Sequence, residues 1–130
     1  MKSVCVIGSG ISGSTIANLL SKKYKVDVYE KAKGIGGRSS HRRYLNKLGF
    51  DHGLQYISPK TSKFKKFCSG LQKKRVLKKW QGPHNFDHSK VLENKKHTKL
   101  IGAKGNNAIS KYLLKNINCI FGYELFKIER

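Results

Sequence analysis

Acidic residues are scarce in this chain. Its 130 residues include 7 Asp and Glu against 28 Lys and Arg, which gives a formal net charge of +21. A chain this basic attracts polyanions such as nucleic acids, anionic lipids and dinucleotides. Residues 60–104 hold thirteen Lys and one Arg against Asp87 and Glu93, yet no RNA- or DNA-binding motif accompanies them, and the one aromatic candidate for display among them is Trp80. A basic nucleic-acid-binding protein is therefore kept as an alternative that the sequence disfavours.

Cysteines and long apolar runs are also few. Cys5, Cys68 and Cys119 are far apart and form no CxxC pair, so we interpret all three as small buried hydrophobic residues. The lack of a disulfide framework is typical of a reducing compartment, and we expect a cytoplasmic protein. The apolar residues 4–7 are followed at once by Gly8, which leaves no signal-peptide core. No stretch is long enough to predict a membrane span.

The five histidines do not predict a metal site. The spacing of His84 and His88 would place both on one face of a helix, but Pro83 and Asn85 favour a loop there. We identify no complete ligand set around them and expect no metal. No Ser–His–Asp or Cys–His arrangement is recognisable either, so the catalytic residues are left unassigned.

The first thirty residues have the pattern of a strand, a tight turn, a helix and a second strand. Ser3–Ile7 is a short apolar run that ends at a glycine, as expected of a buried parallel strand. Ile16, Leu19 and Leu20 stand at helical spacing, and two lysines near the end of that segment suit the helix dipole. We predict a strand over residues 3–7, a helix over 11–23 and a strand over 26–30, which together form a βαβ unit of an α/β fold.

A GxGxxG motif lies between the first strand and the helix. In this context Gly8 permits the tight turn, Gly10 leaves room for a pyrophosphate, and Gly13 lets the helix pack closely on the strand. The backbone N–H groups at the helix start, around Ile11 and Ser12, are available to phosphate oxygens. The motif therefore predicts a Rossmann-like dinucleotide-binding domain, and the alternative is a tight turn that binds no ligand.

Glu30 ends the second predicted strand, at the distance expected of a ribose-binding acid. A carboxylate there accepts hydrogen bonds from ribose hydroxyls and repels a 2′-phosphate, so NADP is disfavoured. The alternative is an exposed carboxylate that pairs with Lys31. Both residues are included among the predicted cofactor-binding residues.

A second glycine cluster follows this acid. Gly36, Gly37, Arg38 and Ser39 form a segment that an NAD-binding Rossmann domain does not need. Together with the GxGxxG motif and the acid, it resembles the FAD-binding N-terminus of the flavin amine oxidase superfamily. The resemblance implies FAD as the cofactor, with the two glycines approaching its flavin end and the arginine contacting phosphate. The alternative for this segment is a flexible surface loop.

Residues 50–56, F-D-H-G-L-Q-Y, are similar to the D-x-G-x-Q-Y stretch of the renalase-like branch of that superfamily. The resemblance implies that Gln55 and Tyr56 lie near the isoalloxazine ring. The alternative for Tyr56 is an ordinary packed aromatic, and for Trp80 we favour a core position. The resemblance also implies oxidation of a small molecule, an amine or a dihydronicotinamide, by hydride transfer to the flavin, which oxygen then reoxidises.

The middle of the chain predicts a helix and a strand. Ser58 and Pro59 read as a helix start, with the serine as cap and the proline at the first position. Residues 75–81 read as a strand with Val76 and Trp80 on one face, and residues 82–99 as a loop or an exposed hairpin. The apolar stripe of the predicted helix consists of Phe64, Phe67, Cys68 and Leu71.

The last thirty residues predict a helix and a final strand. Asn106 or Asn107 caps a helix that runs to about Lys115. Residues 118–129 read as one strand, or as two with a break near Gly122. The inward positions of the helix are Ile109, Tyr112 and Leu113.

The resemblance also predicts the domain organisation. Residues 1–58 form the first part of an FAD-binding Rossmann-like domain, residues 59–101 begin an inserted substrate-domain segment, and residues 102–130 return to the first domain. The chain corresponds only to the N-terminal portion of a family member, so we expect a truncated protein and a separately encoded C-terminal portion as a partner. The main expectation is an FAD-dependent oxidoreductase or its N-terminal piece, and the alternative is a non-catalytic fragment that binds FAD or ADP.

Overall fold

The computed structural model describes residues 1–45, 47–81 and 98–129. Helices and strands are interleaved along the chain. The strands are β1 (Ser3–Ile7), β2 (Lys25–Glu30), β3 (His41–Tyr44), β4 (Leu48–Asp51), β5 (Leu77–Lys79), β6 (Leu100–Gly102) and β7 (Asn118–Phe121). The helices are α1 (Ile11–Leu20), α2 (Ser62–Lys73) and α3 (Ala108–Leu113), and a 3-10 turn spans Gly37–Ser39.

A parallel sheet with the strand order β1-β2-β7 organises the N-terminal part of the fold. Val4 lies opposite Val26, and Val28 lies opposite Cys119, so neighbouring strands present apolar side chains on the same face. β-branched residues suit this extended, half-buried surface. The predicted βαβ unit and the α/β fold class are therefore confirmed.

Small residues form the buried face of α1. Ser14 and Ala17 are fully buried, whereas Ile16 and Leu19 are 45% and 54% exposed. The helix lies so close to the sheet that only short side chains fit between them, so helical spacing alone does not identify the inward face. α1 also ends at Leu20 rather than at residue 23, because the chain turns there into β2.

α2 begins later than the sequence predicts. Thr61, not Ser58, is its N-cap, and the threonine hydroxyl accepts a hydrogen bond from the Phe64 N–H at 3.3 Å. Residues 58–60 instead belong to no helix and follow the bridge that pairs Ile57 with Leu100. The predicted start was wrong because a Ser–Pro pair also suits an extended segment.

The predicted apolar stripe of α2 is only half buried. Cys68 and Leu71 are 1% and 3% exposed, whereas Phe64 and Phe67 are 38% and 39% exposed. The two phenylalanine rings stack on one another, with their centroids 6.2 Å apart. The buried part of the stripe therefore lies in the second half of the helix.

The strand predicted over residues 75–81 forms only as β5, in which Leu77 is 2% exposed. Val76 and Trp80, the residues predicted to share one face, lie just outside β5 and are partly buried. β5 pairs antiparallel with β6, with Leu77 opposite Gly102. Trp80 follows the strand, is partly exposed and packs against Tyr56 rather than entering the core. The loop or hairpin predicted for residues 82–99 lies outside the described residues, apart from its last two positions.

α3 confirms the predicted helix after the two asparagines, although it ends at Leu113 rather than near Lys115. Ile109 and Leu113 are buried, as expected. Asn107 is the N-cap residue of α3, which confirms one of the two predicted positions, but its side chain donates to the Ile35 carbonyl and makes no capping bond.

The strand predicted over residues 118–129 forms only in its first third, before Gly122. β7 ends at Phe121, and Gly122 has a φ of +78°, which turns the chain out of the strand. The N–H of Tyr123 then donates to the Glu30 carbonyl at 3.2 Å. Residues 122–129 form no strand.

Buried apolar residues form two clusters. The first joins α1 to the sheet, the second joins α2, β5, β6 and α3, and Leu114 at the end of α3 belongs to the first. The division into three segments stays a prediction. Cys68 is buried and Cys119 partly so, but Cys5 is exposed, so the expectation of three buried cysteines was wrong. None of the helices in the described part of the chain has the length and apolar character needed to cross a bilayer.

Candidate functional site

The turn between β1 and α1 leaves the N-terminal end of the helix exposed to solvent. Gly8 has a φ of +91°, and its N–H donates to the Tyr29 carbonyl at 2.8 Å, which fixes the turn on the neighbouring strand. Gly10 is the N-cap of α1, no side chain caps the helix, and no acidic residue lies in its first turn. The first backbone N–H groups of α1 therefore have no partner within the helix and create a positive potential there.

Gly13 explains how α1 approaches this turn so closely. A Cβ placed on Gly13 would lie 2.0 Å from the Gly8 carbonyl oxygen, which is far inside any real contact. Only glycine is therefore compatible with this helix position, as the GxGxxG motif predicts.

The second glycine loop lies directly against the first. The Gly36 N–H donates to the Ser9 carbonyl at 3.2 Å, and Gly10 and Gly36 form a β-bridge. A Cβ on Gly37 would lie 3.2 Å from the Gly10 Cα, and Gly36 has a φ of +135°. The Ser39 hydroxyl donates to the Gly36 carbonyl at 2.8 Å, which closes the loop. Two glycine segments that are separated in the sequence thus form one continuous surface.

Between these loops lies an open cleft of about 800 Å³. Arg38 is its one charged lining residue, and within the described part of the chain its exposed side chain forms no ion pair. The cleft is lined by Ile7, Gly8, Gly10, Ile11, Ser12, Gly13, Gly36, Gly37, Arg38, Ser39, Gly53 and Leu54. The structure therefore brings together nine of the predicted cofactor-binding residues.

A family comparison agrees with this geometry. Residues 6–71, just over half of the chain, match the family model described as an NAD(P)-binding Rossmann-like domain. The chain belongs to this family. The matched residues include both glycine loops and the acid at the end of β2. Membership in the Rossmann-like family indicates a dinucleotide cofactor site in this domain and supports a role in oxidation–reduction.

In this Rossmann-like domain Glu30 lies behind the glycine loop rather than in the cleft lining. It is 7% exposed, and its Oε2 accepts hydrogen bonds from the Ser9 N–H at 2.8 Å and the Ser9 hydroxyl at 2.7 Å. Its Oε1 accepts from the Ala32 N–H at 2.8 Å. Burial alone would raise the pKa of this carboxyl, but the bonds from Ala32 and Ser9, with a smaller contribution from the Lys31 charge, lower it overall.

Lys31 does not form the surface pair considered as the alternative for Glu30. Its ammonium lies 3.7 Å from the Glu124 carboxylate, and both side chains are largely exposed. Lys31 also lies outside the cleft lining. The end of β2 therefore carries a buried carboxylate, Glu30, followed by an exposed lysine, Lys31.

Gln55 and Tyr56 lie away from the cleft lining. Gln55 is exposed, and its carbonyl accepts a hydrogen bond from Asn106 Nδ2 at 3.3 Å. The Tyr56 ring packs on Trp80, with centroids 5.5 Å apart, and the Lys99 ammonium lies 4.4 Å from the Tyr56 centroid. The structure does not bring these two residues together with the glycine loops.

Sequence reasoning missed three lining residues and the groups that hold them. Ile7, Gly53 and Leu54 line the cleft. A Cβ on Gly53 would lie 2.1 Å from the Arg38 carbonyl oxygen, and that carbonyl accepts the Leu54 N–H at 3.0 Å. The glycine within the D-H-G-L-Q-Y stretch was the available signal, because a tight approach of two backbones often needs one.

Two adjacent asparagines connect distant segments to the cleft. Asn106 is 1% exposed, accepts the Gly102 N–H at 2.9 Å and donates to the Leu54 carbonyl. Asn107 donates to the Ile35 carbonyl at 3.2 Å, next to the second glycine loop. These bonds fix the Leu54 segment and the second glycine loop to the start of α3.

A polar cluster extends this support to the β3–β4 hairpin. Asp51 Oδ1 accepts the Asn106 N–H at 2.8 Å and lies 3.0 Å from His41 Nδ1.

Among the described residues no three His, Cys, Asp or Glu side chains are grouped in a way that could hold a metal ion, and His84 and His88 lie outside those residues.

Proposed function

We propose that the cleft binds FAD and that the chain functions in an FAD-dependent oxidoreductase of the amine oxidase type, with a small amine or dihydronicotinamide as substrate. The observation that carries this proposal is the contact between the two glycine loops, which places Arg38 on the same cleft as the start of α1. A site for NAD alone needs only the first loop. The second loop adds an uncovered backbone surface and a cation, which suits a longer dinucleotide.

The cleft fits the phosphate part of such a cofactor. The backbone N–H groups at the start of α1 would hold the pyrophosphate, because they have no partner within the helix and the helix dipole favours an anion. Gly10 and Gly37 leave the backbone of both loops uncovered at this point. Arg38 would contribute a permanent charge that can donate two parallel hydrogen bonds to phosphate oxygens.

Glu30 supports an unphosphorylated ribose. A carboxylate can accept about four hydrogen bonds, and three are already occupied by Ser9 and Ala32. One position on Oε1 therefore remains for a ribose hydroxyl. A 2′-phosphate at the same place would be repelled by a carboxylate whose lowered pKa keeps it ionised.

When bound, FAD supplies hydride acceptance, and the protein supplies position and electrostatics. No described lining residue other than Arg38 carries a charge, and none of them is a histidine, carboxylate or thiol. This observation also favours a second candidate function, which is dinucleotide binding without turnover. The two candidates share the same binding site and differ only in whether the loaded protein oxidises a substrate.

The binding proposal is tested by titrating the purified full chain with FAD, NAD⁺ and NADP⁺ in calorimetry at 0.3 M salt. The salt screens the attraction that a charge of +21 exerts on any anion. We expect FAD to bind most tightly and NADP⁺ most weakly. Tighter binding of NAD⁺ than of FAD would refute the flavin assignment.

Two arginine variants test the role of the second loop. Arg38→Ala should weaken FAD binding by roughly tenfold to a hundredfold, the range expected for a charge-assisted hydrogen bond. Arg43→Ala removes the same charge from β3, outside the cleft, and should change the affinity less than about twofold. Equal effects of the two substitutions would mean that only overall charge matters. Oxygen consumption by the FAD-loaded protein, with an amine or a reduced nicotinamide added, then separates turnover from binding alone.

A further inference from the structure

The carboxylate of Glu30 contacts the first glycine turn and does not line the cleft. Its Oε2 accepts both the N–H and the hydroxyl of Ser9, at 2.8 and 2.7 Å. Ser9 is fully buried and lies between Gly8 and Gly10 of the GxGxxG motif. Burial of an ionised group is costly unless donors surround it, so these two bonds connect the side chain and the turn to one another.

The peptide group before Ser9 has a fixed direction as a result. In a planar trans peptide the C=O and the N–H point to opposite sides. The Ser9 N–H donates to Glu30, so the Gly8 carbonyl points the other way. A Cβ on Gly13 would lie 2.0 Å from that carbonyl oxygen, so α1 lies directly against it. Glu30 therefore holds one side of a peptide group whose other side meets the helix.

The peptide group after Ser9 is fixed by two other contacts. The Ser9 carbonyl accepts the Gly36 N–H at 3.2 Å and the Ser14 hydroxyl at 3.1 Å. The N–H of Gly10, the N-cap of α1, belongs to the same peptide group and points to the opposite side. The bonds that Ser9 makes therefore determine how the backbone is oriented where the helix begins.

We propose that Glu30 is a positioning residue for this phosphate-binding turn, so that the affinity of the cleft for a pyrophosphate group depends on its carboxylate. The role is additional to the ribose contact and rests on the proposed function, because the phosphates must lie at the start of α1. Without an acceptor at Oε2, the N–H and the hydroxyl of Ser9 would be buried and unpaired, which costs free energy. The turn would then rearrange, and the donors at the start of α1 would leave the positions that suit an anion.

The charge of Glu30 acts in the opposite direction. A carboxylate repels a bound anion, and the lowered pKa of Glu30 keeps it ionised at neutral pH. If the side chain acted only through its charge, its neutralisation would tighten pyrophosphate binding. If it positions the turn, removal of its acceptor oxygens weakens pyrophosphate binding in spite of the lost repulsion. The two roles therefore differ in the sign of the effect.

Titration of the isotope-labelled full chain with inorganic pyrophosphate, followed by amide NMR at neutral pH and 0.3 M salt, tests this role. Pyrophosphate contains no ribose, so a change in its affinity cannot come from the ribose contact. We expect it to shift the amide signals of Gly10, Ile11 and Ser12 in the parent chain. Glu30→Met replaces both oxygens with a thioether and should weaken binding roughly tenfold, as the loss of one charge-assisted hydrogen bond would.

Glu30→Gln supplies a second, milder variant. Its single oxygen can accept from Ser9 or from Ala32 but not from both, so it should weaken pyrophosphate binding by about twofold to threefold. Asp27→Asn is the charge control, because Asp27 lies on the same strand and bonds to the Asn118 amide at 2.7 Å. Thr61→Ala is the stability control, because it destabilises α2 outside the cleft lining. Both controls should bind pyrophosphate within about twofold of the parent chain, and circular dichroism checks that every variant is folded.

The outcomes separate this role from the flavin proposal. Pyrophosphate binding that is unchanged or tighter in Glu30→Gln would overturn the positioning role, even if Glu30→Met failed to fold, and would leave the flavin proposal intact. A parent chain without shifts at the start of α1 would overturn the role as well. Tighter binding of NAD⁺ than of FAD would remove only the flavin assignment, because both dinucleotides contain the group that is probed.

Discussion

Replacing Gly13 by alanine should destabilise the fold, although the same change stabilises most helices. The added Cβ would lie 2.0 Å from the Gly8 carbonyl oxygen, and real Cβ atoms essentially never come within 3.0 Å of such an atom. The obstacle is backbone in a tight turn, so no side chain can rotate away. α1 would therefore have to move by about 1 Å from β1, and this movement would loosen the contact that buries Ala17.

Two opposing contributions determine the size of the effect. Alanine favours a helix over glycine by about 1 kcal/mol. Overpacking a close contact costs about 1–3 kcal/mol, and the upper end applies here because the clash is with backbone. The net expectation is a loss of about 2 kcal/mol in the free energy of unfolding.

Urea unfolding followed by circular dichroism measures this loss, and Gly70→Ala is the control. Gly70 lies within α2, and a Cβ there would meet nothing within 4 Å, so this substitution should stabilise the chain by about 0.5–1 kcal/mol. If Gly13→Ala stabilised the chain as Gly70→Ala does, the close approach of helix and turn would be wrong.

Three further predictions follow from named contacts. The pKa of Glu30 is lowered in the folded state, so the ionised carboxylate contributes fully to the free energy of unfolding above pH 4.5, and this contribution is lost as the pH falls below that value. In urea unfolding between pH 7 and pH 3, Glu30→Gln should therefore lose less stability on acidification than the parent chain. Asn106→Ala leaves the buried Gly102 N–H without its acceptor and should cost about 3 kcal/mol in the same assay at pH 7. Thr61→Ala should cost about 1 kcal/mol and Ser58→Ala little, since only the threonine caps α2; the reverse order would restore the earlier helix start.

The features that the sequence predicted well are those specified by neighbouring residues. The run Ser3–Ile7, the three glycines after it and the second strand lie within thirty residues, and their spacing alone indicates strand, turn and helix. Local chemistry also accounts for the break at Gly122, where a positive φ ends β7. Such features depend on backbone preference more than on distant contacts.

The features that it missed depend on what lies opposite each residue. Ile16 and Leu19 have helical spacing, but the small side chains of Ser14 and Ala17 decide which face of α1 meets the sheet. Leu77 is buried in the second cluster, whereas Val76, just before β5, packs only partly against it. Alternation in one strand does not reveal which face has a partner.

The cleft illustrates the same limit at a functional site. Its glycines lie within residues 6–71, which the family model matches, yet part of its support comes from beyond that range. Asn106 donates to the Leu54 carbonyl on one side of the cleft. Asn107 donates to the Ile35 carbonyl, just before Gly36, and a Cβ on Gly36 would lie 2.9 Å from the Asn107 Cβ. A motif therefore identifies the glycine loops that border the cleft, but the Leu54 segment and the residue before Gly36 are held by asparagines some seventy residues after the second loop. Substitutions at these asparagines should consequently weaken dinucleotide binding without removing any group that touches the ligand.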